Sequence, residues 1–323
     1  MSTLEELHRP DTETALVSYT ARQKWRQTRL EMERAEVKET PIGRQKRHWG
    51  AFKALIELFG FGLRLLGLYE RGVSNAIDIR LNRMDLWFEN LPKEFDGLRL
   101  LQLTDLHADF LPETLQAALE LTVDVEADIC VLTGDFRRRV KGSFNEILPA
   151  MERLTSQIST RHGTYAVLGN HDCADMVEPF EALGIRVLIN ETHTILRDGA
   201  ELHLTGTDDV HYYYTDAARD ALAAAPEGFK IALIHSAELA DAAAENGFHL
   251  YLAGHTHGGQ VCLPGGWPII THMNRYRRYA SGLWHHGDMR GYTSTGIGVS
   301  GLPVRFNTRG EVVLITLRSG RQA

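Results

Sequence analysis

Residues 98–107, LRLLQLTDLH, and residues 128–136, DICVLTGDF, decide the fold. Each is an aliphatic run too short for a buried helix, and each closes on a small polar group, Thr-Asp in the first and Thr-Gly-Asp in the second. Apolar runs of this length belong to strands covered on both faces, as in a parallel sheet. Between them PETLQAALELTVDVEA, residues 112–127, reads as a helix, so the unit is strand, helix, strand. Working outward, GTYAVLGNHD, FKIALIH and HLYLAGH repeat the aliphatic run with a polar end, and RVLIN, HTILR and ELHLTG read as further strands. FNEILPAMERLTSQ, VEPFEALG and AELADAAAENG read as helices, and YTSTGIGVS, LPVRFN and EVVLITL as a C-terminal meander. The expected fold class is α/β (α+β): a four-layer αββα sandwich over residues 73–323, preceded by a helical extension over residues 1–72. Strand character is expected to begin just after residue 73, where Ile77, Ile79 and Leu81 alternate with polar residues.

The 323 residues are 43% hydrophobic and 24% charged, enough to bury a sizeable core. A net charge of -7 gives no general basic field, so nucleic acid is not an expected partner. Cys130, Cys173 and Cys262 form no CxxC pair, which argues against a disulfide framework or thiolate metal site and fits a reducing cytoplasm. The N-terminus lacks the basic and apolar tracts of a secretory signal.

Two stretches of the extension differ. Residues 13–39 are charge-rich without Gly or Pro and read as a solvated helix lacking a strong apolar stripe. Residues 44–71 open on RQKRHW and continue as an amphipathic helix near 51–69. At about 100° per residue, Lys53, Glu57, Gly60, Arg64 and Arg71 share one narrow stripe on an otherwise apolar cylinder. Its charges exclude a membrane span. Such a helix needs cover from its own domain or from a bilayer surface, where the preceding cations suit anionic headgroups. The expected location is cytoplasmic, peripheral on the inner face of the plasma membrane if the helix binds lipid.

Asp105-Leu-His107, Gly134-Asp135, Gly169-Asn170-His171-Asp172, His235 and Gly254-His255-Thr-His257 all stand at the C-terminal ends of expected strands. The crevice beyond those ends is where α/β sheets place ligands. Taken singly, each histidine is more often structural and each GD or GN dipeptide more often a turn. Jointly, seven oxygen and nitrogen donors at successive strand ends point to divalent ions of the Mn²⁺, Fe²⁺, Zn²⁺ or Mg²⁺ kind. In Asp105-x-His107 and His255-x-His257 the outer residues point the same way on an extended backbone, and Asp135 has the two oxygens needed to bridge two metals roughly 3.5–4 Å apart.

In order and in type these motifs resemble the calcineurin-like metallophosphoesterase superfamily over about residues 97–318. The resemblance implies that Asp105, His107, Asp135 and His257 bind one metal and that Asp135, Asn170, His235 and His255 bind the other, with Mn²⁺ favoured among Mn²⁺, Fe²⁺ and Zn²⁺. It further implies a catalytic pair, His171 meeting the substrate phosphate and Asp172 orienting His171, while a metal-bridging hydroxide attacks phosphorus in line. GHTHGGQVCLPGGWP and GIGVSGLPVRFNTRGEVVLITL are similar to a subgroup that includes YkuE-like proteins and UDP-2,3-diacylglucosamine pyrophosphatases.

Arg137 and Arg138, in the Arg137–Arg139 run after Asp135, are candidates for contacting substrate charge, since guanidinium pairs with phosphate. His211, in TDDVHYYY, is a third, on a loop placed to cap the cleft. His162, His193, His203, His249, His272, His285 and His286 read as surface or supporting residues. Asn274-Arg-Tyr-Arg-Arg-Tyr279 is a second basic and aromatic run that suits the cleft or a lipid surface. Three functions follow: a hydrolase of a lipid-linked phosphate at a membrane surface, a soluble phosphodiesterase or phosphatase for nucleotides or small phosphoesters, or a non-catalytic metal-binding scaffold.

Overall fold

The computed structural model describes residues 12–35, 37–46 and 49–321, so Arg47 and His48 of the basic lead and the extreme N-terminus lie outside the described residues. The extension holds helix α1 (Thr12–Arg34), an antiparallel hairpin of β1 (Val37–Thr40) and β2 (Gly43–Lys46), and helices α2 (Trp49–Leu65) and α3 (Tyr69–Ile77). Then follow β3 (Arg80–Phe88), β4 (Arg99–Leu103), α4 (Pro112–Thr122), β5 (Ile129–Leu132), α5 (Leu148–Gln157), β6 (Thr164–Ala166), α6 (Val177–Ala182) and β7 (Ile185–Val187). The second half comprises β8 (Glu191–Arg197), β9 (Ala200–Gly206), α7 (Ala217–Ala223), β10 (Phe229–Leu233), α8 (Ala240–Glu245) and β11 (Leu250–Ala253). It ends with β12 (Cys262–Leu263), β13 (Trp267–Pro268), β14 (Gly282–His286), β15 (Met289–Thr293) and β16 (Glu311–Ser319).

Two six-stranded sheets carry the molecule, in the orders β3-β16-β4-β5-β6-β7 and β14-β15-β11-β10-β9-β8. The period-two alternation of the aliphatic runs divides each strand between two cores. Leu100, Ile129 and Val131 of one sheet meet Phe229, Ile231, Leu233, Leu250 and Leu252 of the other. Leu101, Leu103 and Leu132 face outward onto Leu115, Leu119, Met151, Leu154 and Phe180 of the first helical layer. On the opposite side Ala232, Ile234 and Tyr251 pack on Leu222, Leu239 and Ala243. Helix, sheet, sheet, helix is therefore the order of layers. Strands β4 to β7 run parallel in one sheet, and β9, β10, β11 and β15 in the other.

Three expectations are corrected. Strand character begins at Arg80, because residues 69–77 form α3, whose Gly72 and Ala76 are buried four residues apart; the helical period wins over the alternation of Ile77, Ile79 and Leu81. The expected boundary at residue 72 falls inside this helix. No C-terminal meander forms: β15 belongs to one sheet and β16 to the other, and LPVRFN makes only an isolated bridge, Phe306 with Val261. Pro303 has no N–H for a ladder, and Gly296 and Gly301 sit at φ 72° and 69°, so the chain between β15 and β16 crosses between sheets as loop. Helix α1 is not simply solvated, since Arg29 is fully buried, and it gives way to strand at Val37.

Helix α2 buries Gly60 and Leu63, its Ile56 and Gly60 meeting the turn at Gly301 and Leu302. Leu55, Leu58, Phe59, Phe61, Leu65 and Leu66 stay exposed, Leu65 at 77%. No helix among the described residues is long and apolar enough to cross a membrane.

Candidate metal centre

The polar strand ends of β4, β5, β6, β10 and β11 converge where the two sheets open. Ligand atoms of Asp105, His107 and His257 lie within 4.8 Å of one another, as do those of His107, Asp135 and His171, and those of Asp105, Asp135 and His235. His255 stands beside His235 with ring centroids 5.1 Å apart, and the buried Asn170 Oδ1 has no hydrogen-bond partner. Six of the seven expected ligands and His171 thus gather at one place, and Asn170 lies between Gly169 and His171 in the chain.

The expected extended backbone does not place these side chains. Asp105, His107, Asp135, His255 and His257 all lie in the left-handed region, at φ 51°, 39°, 58°, 73° and 52°. Non-glycine residues adopt that region at a cost that tight surroundings must hold in place, as functional sites do. The glycines of the motifs give the room for it. A Cβ on Gly169 would run into the Asp135 carboxylate and main-chain N, and one on Gly254 into Thr104 and Asp105. Gly169→Ala is accordingly expected to displace Asp135 and weaken Mn²⁺ binding about 10–100-fold, the range seen when supports of a metal ligand are lost. Titration calorimetry reads this, and unchanged affinity would contradict the packing.

Hydrogen bonds fix which nitrogen of each ring is bare. His107 Nδ1 donates to the Arg137 carbonyl at 2.9 Å, His235 Nδ1 to Thr133 at 2.7 Å and His257 Nδ1 to Gly298 at 3.3 Å. With the proton on Nδ1, Nε2 is left as a lone pair, the arrangement that metal-binding histidines use. His235 Nε2 and His255 Nδ1 are buried without partners. His107 Nε2 and His257 Nε2 face each other at 3.1 Å, two lone pairs that repel unless a cation lies beside both.

The electrostatics agree. Burial holds His107 down at about 4, and burial together with neighbouring imidazoles holds His255 and His257 well below the ordinary value, so these rings stay neutral. Burial also opposes a charge on His235, but Asp135, whose Oδ2 is 3.4 Å from its Nε2, outweighs it and raises His235 well above the ordinary imidazole value. A proton there answers the same negative field that would attract a dication. Burial, with Asp135 nearby, raises Asp105 to about 6. Two buried carboxylates and a set of imidazoles, with no thiolate, fit hard or borderline divalent ions.

The remaining expected residues divide. His171 is partly exposed, its Nδ1 donating to the Arg138 carbonyl and its Nε2 3.9 Å from Asp135 Oδ2. Asp172 does not orient that ring: its oxygens accept main-chain N–H from Gly169, Asp135 and Phe136 at 2.7, 2.8 and 2.9 Å, which ties two motif turns together. Arg137 is buried, and its Nε, Nη1 and Nη2 donate to the carbonyls of His171, Gly142 and Val140. That guanidinium builds a loop instead of meeting substrate. Arg138 lies over the Phe110 ring, 3.8 Å from its centroid, with its carbonyl on His171. His211 is buried between Glu238, 2.8 Å from Nδ1, and Lys38, 3.3 Å from Nε2, and its ring centroid is 4.2 Å from that of His255.

Two arginines that sequence reading missed support the centre from behind. Arg305 is fully buried and donates to the carbonyls of His257, Thr295, Gly296 and Gly298, the last of which receives His257 Nδ1. Arg29 donates to the carbonyls of Gly169 and Asp172. Nothing in a single sequence separates these two from the other arginines, because what they hold at the centre are main-chain oxygens of residues distant in the chain.

The sequence is similar to those of several known proteins. The chain is 28% identical over 239 residues to the uncharacterized metallophosphoesterase YkuE of Bacillus subtilis, covering 71% of this chain and 82% of that protein. It is 28% identical over 229 residues to the phosphodiesterase YaeI of Escherichia coli, covering 68% and 82% respectively. A Danio rerio transmembrane protein with a metallophosphoesterase domain is 28% identical over 250 residues, 71% of this chain and 55% of that protein. The family model of the calcineurin-like phosphoesterases matches residues 98–259, the span from β4 to just past His257. With that match over the strands and turns that assemble the donor cluster, the chain belongs to the calcineurin-like phosphoesterase family and is a metal-dependent phosphoesterase.

Proposed function

We propose that the protein hydrolyses phosphoester or pyrophosphate bonds with two divalent ions, and that its substrate is a lipid-linked phosphate at a membrane surface, of the kind UDP-2,3-diacylglucosamine represents. The facing Nε2 atoms of His107 and His257 carry the metal part of this reading. Asp105, His107, Asp135 and His257 would hold one ion and Asp135, Asn170, His235 and His255 the other, with Mn²⁺ favoured. Bound there, the ions supply positive charge to phosphoryl oxygens and an acidified water. The chain's own contribution is to aim. Asp135 is pinned by the His171 N–H on Oδ1 at 2.9 Å, and His171 presents Nε2 to the cleft as the group that meets the phosphate and protonates the leaving oxygen.

The exposed apolar face of α2 supports the lipid part. Beyond it, Leu263, Trp267, Ile269 and Ile270 are exposed on and beside β12 and β13, a hairpin that Gln260 ties to the turn carrying α2 through bonds to Ser300 and Leu302. Two apolar elements thus flank the loop that leaves His257, and Trp267 is suited to a headgroup region. The transmembrane relative gives independent support. Similarity to the phosphodiesterase YaeI favours a second reading, a phosphodiesterase or phosphatase acting on nucleotides or small phosphoesters.

Hydrolysis by Mn²⁺-loaded protein separates the two. Under the lipid reading, UDP-2,3-diacylglucosamine in mixed micelles is cleaved in preference to bis-p-nitrophenyl phosphate, and Asp135→Ala abolishes both activities. Cleavage of the soluble diester alone would displace the lipid reading in favour of the second.

A further inference from the structure

We propose that Arg29, on helix α1, is a positioning residue for the Asn170–His171 turn, so that the N-terminal helix forms part of the metal centre. This rests on the two-metal reading above. The guanidinium is completely buried. Its Nη2 donates to the Asp172 carbonyl at 2.9 Å and lies 3.4 Å from that of Gly169, the two residues bracketing Asn170 and His171. Those carbonyls bracket the turn, whose His171 brings Nε2 to 3.9 Å from Asp135 Oδ2 and whose Asn170 Oδ1 is buried without a hydrogen-bond partner. A buried carbonyl deprived of its donor is destabilised, so the turn is held most firmly in the arrangement that Arg29 satisfies.

The rest of the guanidinium is equally committed. Nη1 pairs with Asp208, Nε donates to Glu33 at 3.1 Å, and the plane lies over the Tyr213 ring, 3.6 Å from its centroid. Asp208 accepts the Asp209 N–H, and Asp209 in turn accepts the main-chain N–H of His211 and Tyr212. Glu33 accepts the N–H of Ala174, just past the turn. One side chain therefore fixes two walls of the cleft together: the turn bearing Asn170 and His171, and the loop bearing His211. Only a planar fork with donors in several directions does this; a lysine keeps the charge beside Asp208 but cannot span both walls.

The experiment uses the full chain with Arg29→Lys and Arg29→Met, beside Arg22→Met, which removes the bonds of α1 to Glu181, Val187 and Glu191 on the same helix. Mn²⁺ affinity is read by calorimetry, unfolding by circular dichroism, and kcat and KM with bis-p-nitrophenyl phosphate. Both Arg29 variants should unfold cooperatively yet lose about 10–100-fold in Mn²⁺ affinity or kcat, as expected when a support of a metal ligand is removed, with KM little changed. Arg22→Met should match wild type in affinity and kcat. In Arg29→Ala, low non-denaturing guanidinium should restore part of the lost kcat. Folded Arg29 variants with wild-type affinity and kcat would overturn the proposal. So would Arg29 variants that fail to fold, which would make Arg29 a residue of the fold alone. A wild-type chain that neither binds Mn²⁺ nor cleaves the ester would overturn the metal reading, and the Arg29 proposal with it.

Discussion

Asp135→Ala is expected to empty the metal centre and to lower Mn²⁺-dependent hydrolysis of bis-p-nitrophenyl phosphate by about 10³-fold or more, about 4 kcal/mol of transition-state stabilisation. The Asp135 carboxylate is engaged from several sides. Its Oδ2 lies 3.4 Å from His235 Nε2, 3.7 Å from His107 Nε2 and 3.9 Å from His171 Nε2, while Oδ1 accepts the His171 N–H. Burial opposes its charge, yet His235 and His171 hold it well below the usual carboxylate range, so the carboxylate is ionised wherever the enzyme works. Alanine removes a carboxylate within reach of His107 on one side and His235 on the other. The expected signature is loss of bound metal in elemental analysis together with loss of turnover. Full metal content with wild-type kcat would refute the bridging role.

His171→Ala is expected to behave oppositely on one axis. The protein should keep its full metal complement and melting temperature, yet lose about 10²–10⁴-fold in kcat, the usual worth of a positioned proton donor. His171 lies within ligand range of His107 and Asp135, so geometry alone allows it to be a ligand. Its side chain is 12% exposed, however, whereas those of His107 and His235 are fully covered, and it faces the cleft where a leaving oxygen would stand. Metal analysis of the variant decides: loss of an ion would make His171 a ligand, and unchanged kcat would leave it without a role in the reaction.

Much of the fold and of the donor set was legible because it rests on side-chain chemistry at strand ends. Aliphatic runs at 98–103 and 129–132 specify covered strands, and Asp105, Asp135 and His235 follow directly from where those runs stop. What was not legible depends on main-chain geometry. The i,i+2 pairs look extended on paper, but the left-handed φ of Asp105 and His107 comes from the packing of glycines against them, including Gly296, whose Cβ would meet the Asp105 side chain. Arg137 was read from its charge as a phosphate contact, whereas three carbonyls in its own neighbourhood take its donors. Arg29 sat in a stretch read as a solvated helix because a single buried cation leaves no apolar stripe.

Strand β16 enters its sheet between β3, which it pairs over nine residues from Arg80 to Phe88, and β4. Those two neighbours leave the ribosome long before β16 does, and in the folded sheet they are joined only through it. Until Glu311–Ser319 arrive, β4 therefore has an open edge, and the loop that follows it, with Asp105 and His107, lacks the Ile297 and Gly298 main-chain donors that lie just upstream of β16. An unpaired strand edge of this kind is a point of exposure for a chain still being made. The segment that closes the sheet thus also steadies the loop that carries Asp105 and His107.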